Sequence, residues 1–144
     1  MLLLEKHWNG LTLLEFLISV VIIAALAIAA VPTYQHYSKK AYYSELIAAT
    51  NVYQQAVTRC LEKNGFKLNE CDSGKAGIPL NDSDKNTQKI GNIEVENGII
   101  HATPRADHGI TPSDDYTLTP RQLNGKIEWQ PSGGACHAGL VPNC

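Results

Sequence analysis

The sequence predicts an α+β chain: a long amino-terminal helix, transmembrane in its first half, packed on a four-stranded antiparallel sheet and closed by a cysteine-bounded tail. Three observations carry this. An apolar run fills Leu11–Val31 and passes into an amphipathic stripe. Asn97-Gly98 and Asn124-Gly125 each sit between short alternating segments. Four cysteines, Cys60, Cys71, Cys136 and Cys144, all lie outside the apolar run.

The apolar run is 21 residues long, and a helix of that length covers about 30 Å, the thickness of bilayer hydrocarbon. Its conventional polar residues, Thr12, Glu15 and Ser19, all fall near the amino end. A secretory signal peptide needs a positive start, a short apolar core and a small-residue exit. This run is too long, and no such exit precedes a mature domain. Glu15 is the costly residue, because a carboxylate one turn into a membrane-length helix requires a partner. A cut after Gly10 would give Leu11 a free α-amine one helical turn away.

Pro32 removes a backbone donor and can kink the helix. The helical pattern then resumes as a stripe of Tyr42, Leu46, Ala49, Tyr53, Ala56 and Cys60, spaced alternately by four and three. Asn64-Gly65 reads as its carboxyl-terminal stop. One helix from about Leu11 to Lys63 is expected, with half in lipid or a partner bundle and half on the soluble domain.

Residues 65–90 read as loop. Ile93–Glu96 and Ile99–Ala102 flank the first Asn-Gly pair, and Tyr116–Thr119 and Lys126–Trp129 flank the second, so two hairpins are expected. Pro120 points to an irregular end or an edge position for the third strand. One face of the four strands would bury against the helix stripe. A Gly-rich tail runs from Gln130 to Cys144.

An even number of cysteines in a small, loop-rich region favours disulfides and an oxidising compartment. Three pairings are possible, and local pairing, Cys60 with Cys71 and Cys136 with Cys144, is the simplest. A zinc centre would want a C-x-x-C knuckle, which is lacking. The basic residues beside the apolar run, Lys6 on one side and Lys39 and Lys40 on the other, weakly place the carboxyl side in the cytoplasm. The cysteines argue for the opposite orientation and carry more weight, since the charge count differs by one residue.

The 12 Lys+Arg against 14 Asp+Glu leave no basic footprint for strong nucleic-acid binding. No nucleophile–base–orienter set or phosphate loop is visible, so a catalyst is not expected. Five histidines are scattered without ligand spacing, and Asn81-Asp82-Ser83-Asp84 reads as a turn rather than a calcium loop. No cofactor or metal is expected.

The segment Gly10-Leu-Thr-Leu-Leu-Glu15, followed by the apolar run to Pro32 and by Thr-Tyr-Gln-His-Tyr37, resembles the amino terminus of type IV pilins. The order of long helix, connecting loop, four-stranded meander and terminal cysteine loop resembles the type IVa plan across the chain. The resemblance implies a major pilin precursor. Residues 1–10 would be a cytoplasmic leader, 11–32 the transmembrane and assembly helix, 33–64 its amphipathic half, and 65–144 the globular part.

It further implies cleavage after Gly10 by a prepilin peptidase and methylation of Leu11. Glu15 would neutralise the amine of a neighbouring copy. Pro32 lies where the filament helix can loosen, and Cys136 and Cys144 match the family's terminal disulfide. The implied partners are other copies of the chain, the peptidase, the pilus assembly machinery and the inner membrane, with a host surface or DNA reached through the filament. The implied roles are adhesion, twitching motility and DNA uptake. A minor pilin or type II secretion pseudopilin is the alternative. Asn9 and Leu11 depart from the family pattern, which has a basic residue before the glycine and phenylalanine or methionine after it.

Overall fold

The computed structural model describes residues 12–80 and 91–144. The chain divides into two units, Met1–Gln35 and His36–Cys144. Helix α1 (Leu13–Asn64) contributes to both. It opens on a cap. The Glu15 N–H donates to Thr12 Oγ1 at 3.3 Å, and the Phe16 N–H donates to the Thr12 carbonyl at 3.1 Å. Thr12-x-x-Glu15 therefore has the spacing of a capping box, with an acid in the first turn where the helix dipole favours it. Helical backbone runs through Pro32 without a break. The helix ends as Asn64-Gly65 foretold: Gly65 has φ +70°, and the Phe66 N–H reaches back to the Leu61 carbonyl at 2.8 Å. That bond closes a Schellman motif.

In the second unit the helix buries Tyr43, Leu46, Thr50, Tyr53, Val57, Cys60 and Leu61. The expected seam was one residue out of phase at three places. Tyr42, Ala49 and Ala56 are only partly buried, and Tyr43, Thr50 and Val57 lie inside instead. The apolar stripe of a surface helix is wider than a strict 3–4 alternation, and the centre of this one falls one residue later, on the bulkier neighbour at Thr50 and Val57 and on the second of two tyrosines at Tyr43. Thr50 enters the core because its hydroxyl donates to the Ile47 carbonyl at 2.7 Å.

Strands β1 (Gly91–Glu96), β2 (Ile99–Pro104), β3 (Tyr116–Leu123) and β4 (Lys126–Ser132) form one antiparallel meander in the order β1-β2-β3-β4. Asn97 and Gly98 have φ +51° and +70°, and Asn124 and Gly125 +51° and +76°, the left-handed pairs that a two-residue hairpin turn requires. The register sets the faces. Ile93, Ala102 and Tyr116 form one inward row, and Val95, Ile100 and Leu118 another. Glu94, His101, Thr117 and Ser132 run across the opposite face.

These inward rows and the buried helix face form one hydrophobic core, joined by Ile78, Ile110, Ala135, Leu140 and Val141. The third strand is interior rather than an edge, and it is regular through Pro120. Pro120 nevertheless lies beyond Leu118, the last residue of that strand paired with β2. Only β4 flanks the strand there, which is how an interior strand accommodates a proline.

Two disulfides are present, Cys60–Cys71 and Cys136–Cys144. The second closes the tail beside a one-turn helix, α2 (Gly134–His137). That tail is seated on the loop before β3: Asp115 Oδ1 accepts from the Gly134 N–H at 2.9 Å and the Asp115 carbonyl from the Ala135 N–H at 3.0 Å.

Candidate functional site

The first part of α1 is the feature that a folded core does not explain. Leu13, Leu14, Phe16, Leu17, Ile18, Val20, Val21, Ile22, Ile23, Leu26, Ile28 and Val31 are all exposed. The helix is long and apolar enough to cross a membrane, and none of its most apolar stretch is buried within the chain. Twelve large apolar side chains left in water would forfeit on the order of 20 kcal/mol of transfer free energy, so this surface demands lipid or protein around it.

Glu15 projects from this surface at its amino end and is itself exposed. Its carbonyl accepts from Ser19 Oγ at 2.8 Å, and Thr33 Oγ1 donates to the Ala29 carbonyl at 3.5 Å beside Pro32. The helix thus satisfies its own hydroxyls within the apolar stretch, as lipid or a dry bundle requires. Of the expected functional residues, Gly10 and Leu11 lie outside the described residues, as does the Asn81–Asp84 run. Glu15 and Pro32 lie on the one helix, and the cysteines all belong to the second unit.

Within the second unit the apolar core is supplemented by tertiary hydrogen bonds that local sequence did not announce. Tyr43, 0% exposed, donates its hydroxyl to the Asp114 carbonyl. Burial pushes the Tyr43 phenol well above its ordinary range, with the Asp114 carboxylate adding to the effect. Burial likewise raises Tyr42 and Tyr116. Tyr42 Oη accepts from the Arg105 N–H at 3.0 Å, tying the loop after β2 to the helix. Asp114 caps Thr111 through both its N–H and its hydroxyl, at 2.9 and 3.0 Å. The Asp72 carboxyl is held below its usual range by the Lys75 ammonium at 2.8 Å and by the Asn97 N–H at 2.7 Å. Among the described residues no group of three or more His, Cys, Asp and Glu side chains is arranged to hold a metal.

An exposed apolar helix of membrane length carrying one acid, continuous with the helix half that packs on a four-stranded meander closed by a terminal disulfide loop, is the plan of the pilin class. The chain belongs to the type IV pilin family. It is similar to the type IV major pilin protein PilE1 of Neisseria gonorrhoeae, at 31% identity over 124 residues, covering 84% of this chain and 73% of that one. It is also similar to the prepilin peptidase-dependent protein D of Escherichia coli, at 33% identity over 95 residues, 66% of this chain and 62% of the relative. The type IV pilus subunit protein TapA of Aeromonas hydrophila matches at 38% over 74 residues, 51% of each chain. No protein-family model matches the chain. These relationships support a role as a pilus subunit.

Proposed function

We propose that this chain is the structural subunit of a type IV pilus, made as a membrane precursor and polymerised through the first part of α1 into a surface filament. The observation that carries this is the apolar length of α1 with its single acid. The surface is too large to stay wet, and Glu15 needs a cation when the helix leaves lipid for a bundle. In this reading residues 1–10 are a leader held in the cytoplasm and removed by a prepilin peptidase. The relative from Escherichia coli carries that dependence in its name. Cleavage after Gly10 makes the amine of Leu11, which is then methylated.

Residues 11–32 wait in the inner membrane and afterwards form the filament core, with Pro32 as the place where the helix loosens. Residues 33–64 carry the domain 65–144 on the outside. A mis-staggered neighbour would leave an ammonium and a carboxylate unpaired in an apolar surrounding, at a cost of several kcal/mol. The Glu15–amine pair therefore sets register as well as contact.

Mass spectrometry of the amino terminus of sheared surface fibres tests the reading. The expected first residue is Leu11 bearing one methyl group. An intact Met1, or a cut near Ala30, overturns it.

A further inference from the structure

Strand β1 is first in the sheet order, so β2 pairs with only one of its long sides. A bare outer edge would be a template for another strand. Here the outward-facing backbone of Val95 and the turn after it are held by three consecutive loop residues. The Cys71 carbonyl accepts from the Gly98 N–H at 2.9 Å, and Asp72 Oδ1 accepts from the Asn97 N–H at 2.7 Å. Ser73 donates its N–H to the Val95 carbonyl at 3.0 Å, while its hydroxyl accepts from the Val95 N–H at 2.8 Å. Two of the four bonds use side chains, so the closure is a staple rather than a fifth strand.

The staple begins at a fixed point. Cys71 is 0% exposed and bonded to Cys60 on α1. Ahead of it, the Asn64 side chain holds the Lys67 N–H and carbonyl, both at 2.9 Å. The far edge of the sheet, β4, is blunted differently, by Lys126, Glu128 and Pro131 in its own sequence. At the β1 edge, by contrast, the residue that begins the staple is itself disulfide-bonded to α1.

We infer that the Cys60–Cys71 disulfide is a redox-dependent latch that holds the 71–73 segment on Val95 at the β1 edge and on the turn after it. The latch closes when the two thiols pass two electrons and two protons to a disulfide-bearing oxidant, which leaves as two thiols. In the reduced chain the 71–73 segment keeps only its backbone tether from Asn64 and Lys67, and lifts from Val95, Asn97 and Gly98. Closure of the latch is then coupled to arrival in an oxidising compartment. That last step rests on the proposed export of the domain, whereas the latch itself does not.

Amide hydrogen exchange on the full chain in detergent micelles tests the latch independently of amino-terminal processing. In C60S/C71S, and in the apolar C60A/C71A, the Val95, Asn97 and Gly98 amides are expected to exchange at least tenfold faster than in the parent, with β3 and β4 amides changing far less. C136S/C144S is expected to leave the three edge amides at their parental rates. D72A/S73A, with both disulfides intact, should speed Val95 and Asn97 but spare Gly98, whose acceptor is the Cys71 carbonyl. Edge amides as slow as in the parent, or accelerated only as much as those of β3 and β4, would overturn the latch. Loss of fold in both bridge-less variants would also overturn it, because the bridge would then support the whole domain rather than one edge.

Discussion

At the scale of single residues, the second unit relies on polar groups that are buried only because each has a partner. Tyr43 is the clearest case. Its ring is enclosed in the core and its hydroxyl serves the Asp114 carbonyl. Tyr43→Phe should cost about 1–2 kcal/mol at neutral pH, since a carbonyl is left without its donor. The pH dependence follows from the raised phenol. The ordinary value is 10.0 and the folded value lies above it. A group that holds its proton more tightly in the folded state contributes stability in full below its unfolded value and loses it as pH rises toward the folded one. Stability should therefore fall as pH climbs past 10, and Tyr43→Phe should flatten that decline while lowering the neutral plateau. Thermal melts of both chains between pH 7 and 11 read the two effects together. Parallel curves across that range would show that the phenol does not titrate with unfolding.

At the scale of elements, the glycines separate positions that need a backbone conformation from positions that need space. Gly65 has φ +70° and nothing within 4 Å of where a Cβ would lie. Gly134 needs no positive φ, but a Cβ there would sit 1.9 Å from the Ser113 carbonyl oxygen. Gly65→Ala should cost about 1–2 kcal/mol of left-handed strain and leave the fold intact. Gly134→Ala must push α2 off the loop before β3, breaking the bonds to Asp115, and should cost more, about 3 kcal/mol or above. Chemical denaturation of both variants gives the order, and an equal or reversed ranking would mean that the tail is not tightly seated.

The same contrast explains what could be read from sequence. The hairpins and the helix stop were legible because Asn97-Gly98, Asn124-Gly125 and Asn64-Gly65 carry their geometry in adjacent residues. The buried helix face was legible only to within one residue, because periodicity gives a direction and packing chooses among bulky neighbours. The staple and the tail seat were not legible. Ser73 meets Val95 across 22 positions, Asp72 meets Asn97 across 25, and Asp115 meets Gly134 across 19. Asp and Ser in loops look alike whether they cap a local turn or a distant edge.

At the scale of the whole molecule, Glu15 carries two readings that the structure makes separable. Its backbone N–H is bonded to Thr12 Oγ1, so it belongs to the helix cap. Its carboxylate is the one charge on the exposed apolar stretch, and the proposed assembly gives that charge the amine of another copy. Glu15→Gln keeps the capping geometry and removes the charge. Thr12→Ala keeps the charge and weakens the cap, at about 1 kcal/mol. Neither lies in the second unit, so both chains should insert in membranes and melt as the parent does. If the carboxylate pairs with a neighbour's amine, Glu15→Gln should assemble few or no filaments, because each added subunit would bury an unpaired ammonium, a loss of about 3–5 kcal/mol per subunit. Thr12→Ala should assemble at near-parental yield. Shearing surface filaments and quantifying the chain by mass, with total membrane precursor as the reference, distinguishes the two. Normal yield and subunit spacing from Glu15→Gln, or failure of Thr12→Ala alone, would make Glu15 a capping residue whose charge is incidental to the fibre.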